Sequence, residues 1–69
     1  MDICKKFGAR VKELREAQKW SQEELADRTG LHRTYISAVE RGVRNPTITV
    51  IERISIGLQT DLESLMARL

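Results

Sequence analysis

Residues 32–41, H-R-T-Y-I-S-A-V-E-R, place several side chains that could recognise another molecule close together in the chain. Arg33 offers a forked guanidinium group, and Thr34 offers a hydroxyl group that can donate or accept a hydrogen bond. Ile36 and Val39, three residues apart, instead predict burial on one face of a helix. The polar residues are therefore either an ordinary solvated helix face or a surface that binds a partner.

Catalytic and metal-binding chemistry lacks its usual components in this sequence. The single histidine, His32, has no second histidine or cysteine at metal-ligand spacing, and Cys4 is the only cysteine. The sequence contains neither a Gly-rich phosphate loop nor a Cys–His pair on adjacent elements. We therefore expect no enzymatic activity, no metal, no cofactor and no small-molecule ligand. Cys4 is expected to be a packing residue.

The composition predicts a single domain covering residues 1–69, with 41% hydrophobic and 32% charged residues. No apolar run approaches the roughly 20 residues that a membrane span needs, and no signal peptide opens the chain. One cysteine cannot form an internal disulfide, which indicates a reducing cytoplasm. The net charge of +2 is concentrated in residues 1–20 and 31–46 and permits a polyanionic partner without requiring one.

The spacing of apolar residues predicts an all-α fold of five short helices and no long strand. The first helix is expected over residues 2–18, with one face formed by Ile3, Phe7, Val11, Leu14 and Gln18. Thr47 is the expected N-cap of the fourth helix, and Thr60 with Glu63 forms a possible capping box before the fifth. The apolar stripes of these two helices are Ile48, Ile51, Ile54 and Leu58, and Leu62, Leu65, Met66 and Leu69.

The second and third helices carry a pattern typical of a helix-turn-helix. Ser21 and Glu24 form a capping box before a helix over residues 22–28, and Gly30 supplies the turn. The third helix begins at His32 or Arg33 and ends before Gly42. Two helices that cross steeply need small or apolar residues at fixed places. Six residues meet this need: Leu25, Ala26, Gly30, Leu31, Ile36 and Val39.

The block SQEELADRTGLHRTYISAVERGVRNPT resembles the lambda repressor/Cro-type (Xre) helix-turn-helix family of transcriptional regulators. The likeness covers roughly residues 7–66. Within that family, R-T-Y-I-S followed by E-R-G-x-R-N is typical of controller proteins of restriction–modification systems and of small bacterial or prophage repressors. The resemblance implies a lambda-repressor-like DNA-binding domain, a double-stranded DNA operator as partner, and sequence-specific regulation of transcription.

Given this resemblance, a helical wheel selects the residues that would face DNA bases. A recognition helix presents its N-terminal residues and its outer face to the major groove, which selects Arg33, Thr34, Ser37 and Ala38. Arg33 is the expected reader of a guanine. Tyr35 is either a helper in binding or a half-buried prop for the helix. His32 either reaches a base or phosphate or simply begins the helix.

Backbone phosphates are expected to meet helix N-termini and loops. Ser21 and Gln22 open the second helix, and the resemblance implies that Gln22 bridges a phosphate and the recognition helix. It also implies phosphate contacts from Arg44 and Asn45 in the loop after the third helix. Arg10 and Lys12 on the first helix are further candidates, although a basic helix face is usually only solvated.

Arg15 and Glu40 are expected to be structural. Both flank the apolar faces of their helices, and the resemblance implies a buried ion pair between them. We therefore predict that Glu40→Ala unfolds the protein rather than altering its specificity.

A single recognition helix reads only a few base pairs, and family members bind two-fold-related half-sites as homodimers. Ile56, Met66 and Leu69 are the predicted interface residues, whereas Leu62 and Leu65 are expected to close the core. Where the family usually has A-L-G-V, residues 57–60 read G-L-Q-T, so the left-handed cap is expected to fall to Gln59.

RNA polymerase is a further possible partner, because controller-type proteins activate or repress according to where their site lies. The main alternative function is an antitoxin- or adaptor-type protein-interaction module on the same fold. An unspecific DNA-coating protein would need more Lys and Arg than a net charge of +2 supplies.

Overall fold

The computed structural model describes residues 2–69, and these residues form five α-helices without a strand. The helices are α1 (Ile3–Ala17), α2 (Gln22–Thr29), α3 (Arg33–Glu40), α4 (Ile48–Gly57) and α5 (Leu62–Met66). The predicted all-α fold of five short helices is therefore confirmed. The third helix packs against both α1 and α2, α4 contacts α2 and α5, and α5 also contacts α1.

The core lies where the five helices meet. Its buried apolar residues are Phe7, Val11, Leu25, Ala26, Ile36, Val39, Ile54, Leu58 and Leu65. Of the apolar residues that define the helix-turn-helix pattern, only Leu31 is half-buried rather than buried. Gly30 ends α2 in the left-handed region with φ of 71°, as the turn requires. The predicted apolar framework of α2 and α3 is thus confirmed.

Helix N-termini use the predicted type of cap, but neither of the two proposed capping boxes forms as predicted. Ser21 accepts a hydrogen bond from the Glu24 amide at 3.0 Å, whereas the Glu24 carboxylate pairs with Arg28 and does not return to Ser21. Before α5 the cap is Asp61, whose carboxylate accepts the Ser64 amide at 2.7 Å. A carboxylate one residue later in the chain therefore replaces the predicted Thr60 hydroxyl.

The junction between α4 and α5 has the geometry that its unusual sequence predicts. Gln59 adopts a left-handed backbone with φ of 59°, a conformation that costs a side-chain-bearing residue more than glycine. Gly57 lies within α4, where an added Cβ would meet the Thr29 methyl group and the Arg28 carbonyl. The glycine therefore allows α4 to approach the end of α2 closely, and the left-handed position falls to glutamine.

Five residues assigned to the apolar faces lie outside the core: Ile3, Gln18, Ile48, Leu62 and Met66. The expectation that Leu62 closes the core is therefore wrong, because 41% of its surface is exposed. Ile48 is 74% exposed and Ile3 is more than half exposed, and each is the first residue of its helix. Gln18 is exposed because α1 ends before it. Helical periodicity identifies the apolar face of a helix, but it does not indicate which part of that face is covered by a neighbouring helix.

Candidate nucleic-acid interface

The C-terminal end of α3 is held by the predicted ion pair. Arg15 Nε lies 2.7 Å from Glu40 Oε2, and Arg15 Nη2 lies 3.1 Å from Glu40 Oε1. Only 3% of the Glu40 side chain is exposed. The hydrogen bond to Glu40 raises the pKa of the Arg15 guanidinium, against the burial that lowers it. The buried pair between α1 and α3 is therefore confirmed.

Two further contacts complete this network. Arg15 Nη1 donates to the Trp20 carbonyl oxygen at 2.6 Å, at the junction between α1 and α2. Gln22 Nε2 donates to Glu40 Oε1 at 3.0 Å. One carboxylate thus accepts hydrogen bonds from both α1 and α2. This arrangement fixes the recognition helix relative to the beginning of α2, where Ser21 is exposed.

The N-terminal end of α3 is open. Arg33 and Thr34 are exposed, and Ser37, one turn after Thr34, is half-buried. Within residues 2–69 Arg33 forms no ion pair, so its donors are available to a ligand. Three of the four residues that the helical wheel assigns to the outer face therefore lie on accessible surface.

Ala38, the fourth of these residues, is buried, with 9% of its surface exposed. The prediction that it reads a base is therefore wrong for this structure. The third helix is short and contacts two neighbours, and the chain turns back after it, with the Val43 amide bonded to the Ala38 carbonyl at 3.1 Å. A methyl group is too short to extend beyond these surroundings.

His32 begins the recognition helix. Its Nδ1 accepts a hydrogen bond from the Thr34 amide at 3.2 Å, and its side chain is exposed. Of the two alternatives for this residue, the structure therefore contains the helix cap. A contact between its other ring nitrogen and DNA stays a prediction.

Tyr35 is half-buried and packs against the core, as the alternative of a prop for α3 requires. The guanidinium carbon of Arg44 also lies 5.4 Å from the centre of the Tyr35 ring, within cation–π range. Arg44 and Asn45 are both exposed in the loop after α3. The loop and the beginning of the recognition helix are therefore neighbours, and phosphate contacts from this loop stay a prediction.

Arg10 does not have the free guanidinium that phosphate binding needs. Its Nη1 lies 2.9 Å from Glu13 Oε1, its Nη2 donates to the Ser64 carbonyl at 2.7 Å, and only 13% of the side chain is exposed. The Ser64 carbonyl oxygen, near the end of the short helix α5, also accepts the Ala67 amide at 3.3 Å, so Arg10 supplies a second donor to it. The prediction of a backbone contact is therefore wrong here, because Arg10 joins α1 to α5.

The predicted dimer residues differ in exposure. Ile56 is 68% exposed and Met66 is also exposed, so both are accessible. Leu69 is instead half-buried against the core, and Lys6 Nζ donates to its carbonyl oxygen at 3.1 Å. Because Leu69 keeps part of its surface exposed, its assignment to an intermolecular interface stays a prediction. The interface role of the other two residues also stays a prediction.

Some of the exposed apolar surface was not predicted from the sequence. Val43 is exposed in the loop after α3, where an apolar residue in a polar segment could have been noticed. A shallow apolar depression also lies beside the beginning of α1, and its lining comprises Ile3, Cys4, Phe7, Asn45, Pro46, Ile51 and Met66. Cys4 has the predicted packing environment, since it is partly buried in this lining.

Two other kinds of site are absent from the described part of the chain. None of the helices within residues 2–69 has the length and apolar character needed to cross a membrane. Among the same residues, no three His, Cys, Asp or Glu side chains gather in a way that could hold a metal ion.

Known proteins share the sequence pattern and the fold of this chain. Residues 11–65 match the helix-turn-helix family. The control protein C.SmaI of Serratia marcescens is 40% identical over 68 residues, which cover 99% of this chain and 81% of that protein. The crystal structure of the restriction–modification controller protein C.AhdI from Aeromonas hydrophila is 40% identical with a TM-score of 0.90, covering 94% of this chain and 98% of that one.

A third match includes nucleic acid. The crystal structure of SinR, described as the master regulator for biofilm formation and solved in complex with DNA, has a TM-score of 0.80 and 33% identity, covering 87% of this chain and 97% of that one. The matches agree with the motif that residues 21–47 carry. This chain therefore belongs to the helix-turn-helix family of the lambda repressor/Cro (Xre) type, and its relatives include restriction–modification controller proteins.

Proposed function

We propose that this protein is a sequence-specific DNA-binding transcriptional regulator whose recognition helix is α3. One observation carries the proposal: the buried network of Arg15, Gln22 and Glu40 holds one end of α3, while Arg33 and Thr34 are exposed at the other. A rigid helix with accessible donors at its N-terminal end suits the major groove of DNA. The exposed face of α3 is thus a binding surface rather than ordinary solvated surface.

Each exposed residue of α3 has a specific role in this proposal. Arg33 reads guanine, because its fork can donate to O6 and N7 together. Thr34 and Ser37 contact neighbouring base edges, and the small size of Ser37 allows close approach. Tyr35 contacts the DNA beside them, and His32 reaches a phosphate through Nε2.

The phosphate backbone is bound on both sides of the groove. Ser21 accepts the Glu24 amide and retains its own hydroxyl proton as a donor, next to the positive end of the α2 dipole. Gln22, the first residue of α2, donates a hydrogen bond to the Glu40 carboxylate of α3. This contact supports the predicted role of Gln22 in bridging a phosphate and the recognition helix. Arg44 and Asn45 contact phosphate from the loop after α3. These contacts set the position of the protein, while α3 reads the bases.

The protein acts on DNA as a homodimer, with Ile56 and Met66 in the interface. Their exposure supports this assignment, because large apolar side chains on a small surface favour association. Two copies of α3 would then lie about 34–36 Å apart, one turn of DNA, and read a palindrome. A dimer also lengthens a site that a single helix reads over only a few base pairs.

The protein is either a controller protein of a restriction–modification system or a small bacterial or prophage repressor. The similarity to C.SmaI and C.AhdI supports the first of these two alternatives. The protein acts in the cytoplasm, and RNA polymerase is its further partner where the operator lies at an activating position.

Selection of bound sites from random duplex DNA tests the proposal. We expect a palindromic motif with fixed half-site spacing, and binding that weakens steeply with salt as counterions are released. Absence of enrichment at moderate salt would contradict specific DNA recognition. A protein partner bound through α3 with little salt dependence would instead favour the antitoxin- or adaptor-type alternative.

A further inference from the structure

The cap of the recognition helix also involves the Thr34 hydroxyl group. His32 Nδ1 lies 3.2 Å from the Thr34 amide nitrogen and 2.8 Å from Thr34 Oγ1. Two polar groups of one residue thus converge on a single ring nitrogen. Both residues are exposed at the end of α3 that is proposed to face DNA.

The direction of both hydrogen bonds follows from the chemistry of the backbone amide. An amide N–H can only donate, so Nδ1 must be an acceptor and cannot carry a proton. The proton of the neutral imidazole is therefore on Nε2. Because Nδ1 has no proton to give, the Thr34 hydroxyl must donate in the shorter contact, and its proton is used within the protein.

A threonine hydroxyl whose proton is already engaged presents only oxygen lone pairs to a ligand. In the major groove, adenine N6 and cytosine N4 carry amino donors, whereas thymine O4 and guanine O6 are acceptors. A free hydroxyl could rotate to satisfy either class. The hydroxyl of Thr34 can satisfy only the first class as long as His32 accepts its proton.

We propose that His32 is a positioning residue for base recognition. Because Nδ1 accepts the hydrogen bond of the Thr34 hydroxyl, that hydroxyl can act only as an acceptor toward DNA. It therefore selects adenine or cytosine, the bases with an amino group in the major groove, at the position that Thr34 contacts. This inference rests on the proposed function, since it concerns the bases that α3 reads. It gives the histidine a role in specificity in addition to its role as a helix cap.

The direct test is site selection from random duplex DNA with four proteins: the wild type, His32→Ala, His32→Asn and Thr34→Val. Thr34→Val removes the hydroxyl at nearly constant shape and identifies the base pair that Thr34 reads. At that base pair, His32→Ala is expected to lower the preference for adenine or cytosine over thymine or guanine by roughly 3- to 10-fold, the worth of one hydrogen bond. His32→Asn retains an acceptor and a good N-cap, so it should keep the preference.

A matched control separates base preference from helix capping. Thr47→Ala removes the hydroxyl that accepts the Val50 amide at 3.3 Å, so it deletes the N-cap of α4 outside the recognition helix. It should lower thermal stability in the same manner as His32→Ala but leave the base preference unchanged. A change in base preference caused by Thr47→Ala would overturn the specific role of His32.

Nuclear magnetic resonance of the free protein provides a test that requires no DNA. The chain contains one histidine, so the ring nitrogens of ¹⁵N-histidine-labelled protein are assigned without ambiguity. At neutral to mildly basic pH we expect the proton on Nε2 and an unprotonated Nδ1. A proton on Nδ1 would overturn the proposed direction of the hydrogen bonds.

The outcomes of the selection are distinguishable. If the wild type selects a motif but His32→Ala leaves the Thr34-dependent base pair unchanged, the inference fails and the proposed function stands. The inference also fails if Thr34→Val alters the preference at no base pair; sequence-specific binding through α3 then stands, but without a base contact from Thr34. If the wild type selects no motif, the proposed function fails together with the inference.

Discussion

The two ends of α3 differ in almost every physical respect. At the C-terminal end, Glu40 is buried and accepts hydrogen bonds from both Arg15 and Gln22. At the N-terminal end, Arg33 and Thr34 are exposed, and the Thr34 hydroxyl pairs with neighbouring His32. The same eight-residue helix therefore serves as part of the core at one end and as accessible surface at the other.

This difference indicates how a small domain can bind DNA with a rigid helix. Polar groups that are to read bases must stay accessible, so they cannot contribute to holding their own helix. The buried charges and apolar residues one or two turns later perform that task instead. Substitutions of Glu40 and of Arg33 should therefore affect different properties: stability for Glu40 and recognition for Arg33.

The largest effect is expected from Glu40→Ala. The substitution leaves the Arg15 guanidinium buried without its carboxylate partner, and we expect the free energy of unfolding to fall by about 3–5 kcal/mol. Chemical denaturation monitored by circular dichroism measures this loss. Glu24→Ala, which removes an exposed carboxylate paired with Arg28 at 2.8 Å, is the matched control and should cost less than about 1 kcal/mol. Equal effects of the two substitutions would contradict the burial of the Arg15–Glu40 pair.

Gly8→Ala tests how closely α1 approaches this same end of α3. An added Cβ would meet the carbonyl oxygen of Val39 and would lie 2.7 Å from that of Glu40. We expect a loss of about 1–3 kcal/mol in unfolding free energy, because two backbones would have to separate. On an uncrowded helix, the same exchange stabilises by roughly 1 kcal/mol. The reverse exchange at the exposed neighbour, Ala9→Gly, calibrates that propensity effect, and a stabilised Gly8→Ala protein would rule out the close approach.

Arg33→Ala addresses the open end. We expect unfolding free energy to change by no more than about 0.5 kcal/mol, since Arg33 is exposed and unpaired within residues 2–69. Binding should lose roughly 1–3 kcal/mol of discrimination at one base pair. Arg44→Ala is the comparison, because a phosphate contact should weaken all sequences alike and lower the salt dependence by about one counterion. Titrations on the selected site and its single-base variants distinguish the two patterns, and a uniform loss for Arg33→Ala would contradict base reading.

The smallest effect is expected at Asp61, which is the exposed N-cap of α5 and lies at neither end of α3. Hydrogen bonding from the Ser64 amide lowers the pKa of the Asp61 carboxyl. A lowered folded-state pKa stabilises the protein above the unfolded value, about pH 3.9, and this contribution is lost as pH falls through the folded value. As pH decreases through the acid range, the melting temperature should therefore fall less steeply for Asp61→Asn than for the wild type. Asparagine keeps a capping oxygen but does not titrate. Parallel curves for the two proteins would contradict the assignment.

Local patterns along the chain predicted much of the fold correctly. The spacing of Leu25, Ile36 and Val39 identified the buried faces of α2 and α3, and these residues are at most 1% exposed. Ser21 and Thr47 were recognised as caps because a helix N-terminus needs an acceptor within the next few residues. The pairing of Arg15 with Glu40 was implied by family resemblance, since spacing alone indicates only that each flanks an apolar face.

The incorrect predictions have one cause in common, which is contact between elements that are distant in the chain. Arg10 was predicted to contact backbone phosphate, but α5 brings the Ser64 carbonyl to its guanidinium from 54 residues away. Ala38 was placed on the outer face by its angle on the wheel, yet neighbouring elements bury it. Ile48 lies on the apolar stripe of α4 but is 74% exposed. Which part of a face is covered depends on how long each helix is and where its neighbours cross.

The order of residues was enough to predict five helices, the caps at Ser21 and Thr47, the turn at Gly30 and the accessibility of Arg33 and Thr34. These features depend on hydrogen bonds and periodicities that span only a few residues. The tertiary structure decided that Gln22 and Arg15 share the Glu40 carboxylate, that Arg10 joins α5, and that Leu69 covers the core. Such contacts join residues far apart in the chain, and their existence depends on the angles at which the helices cross.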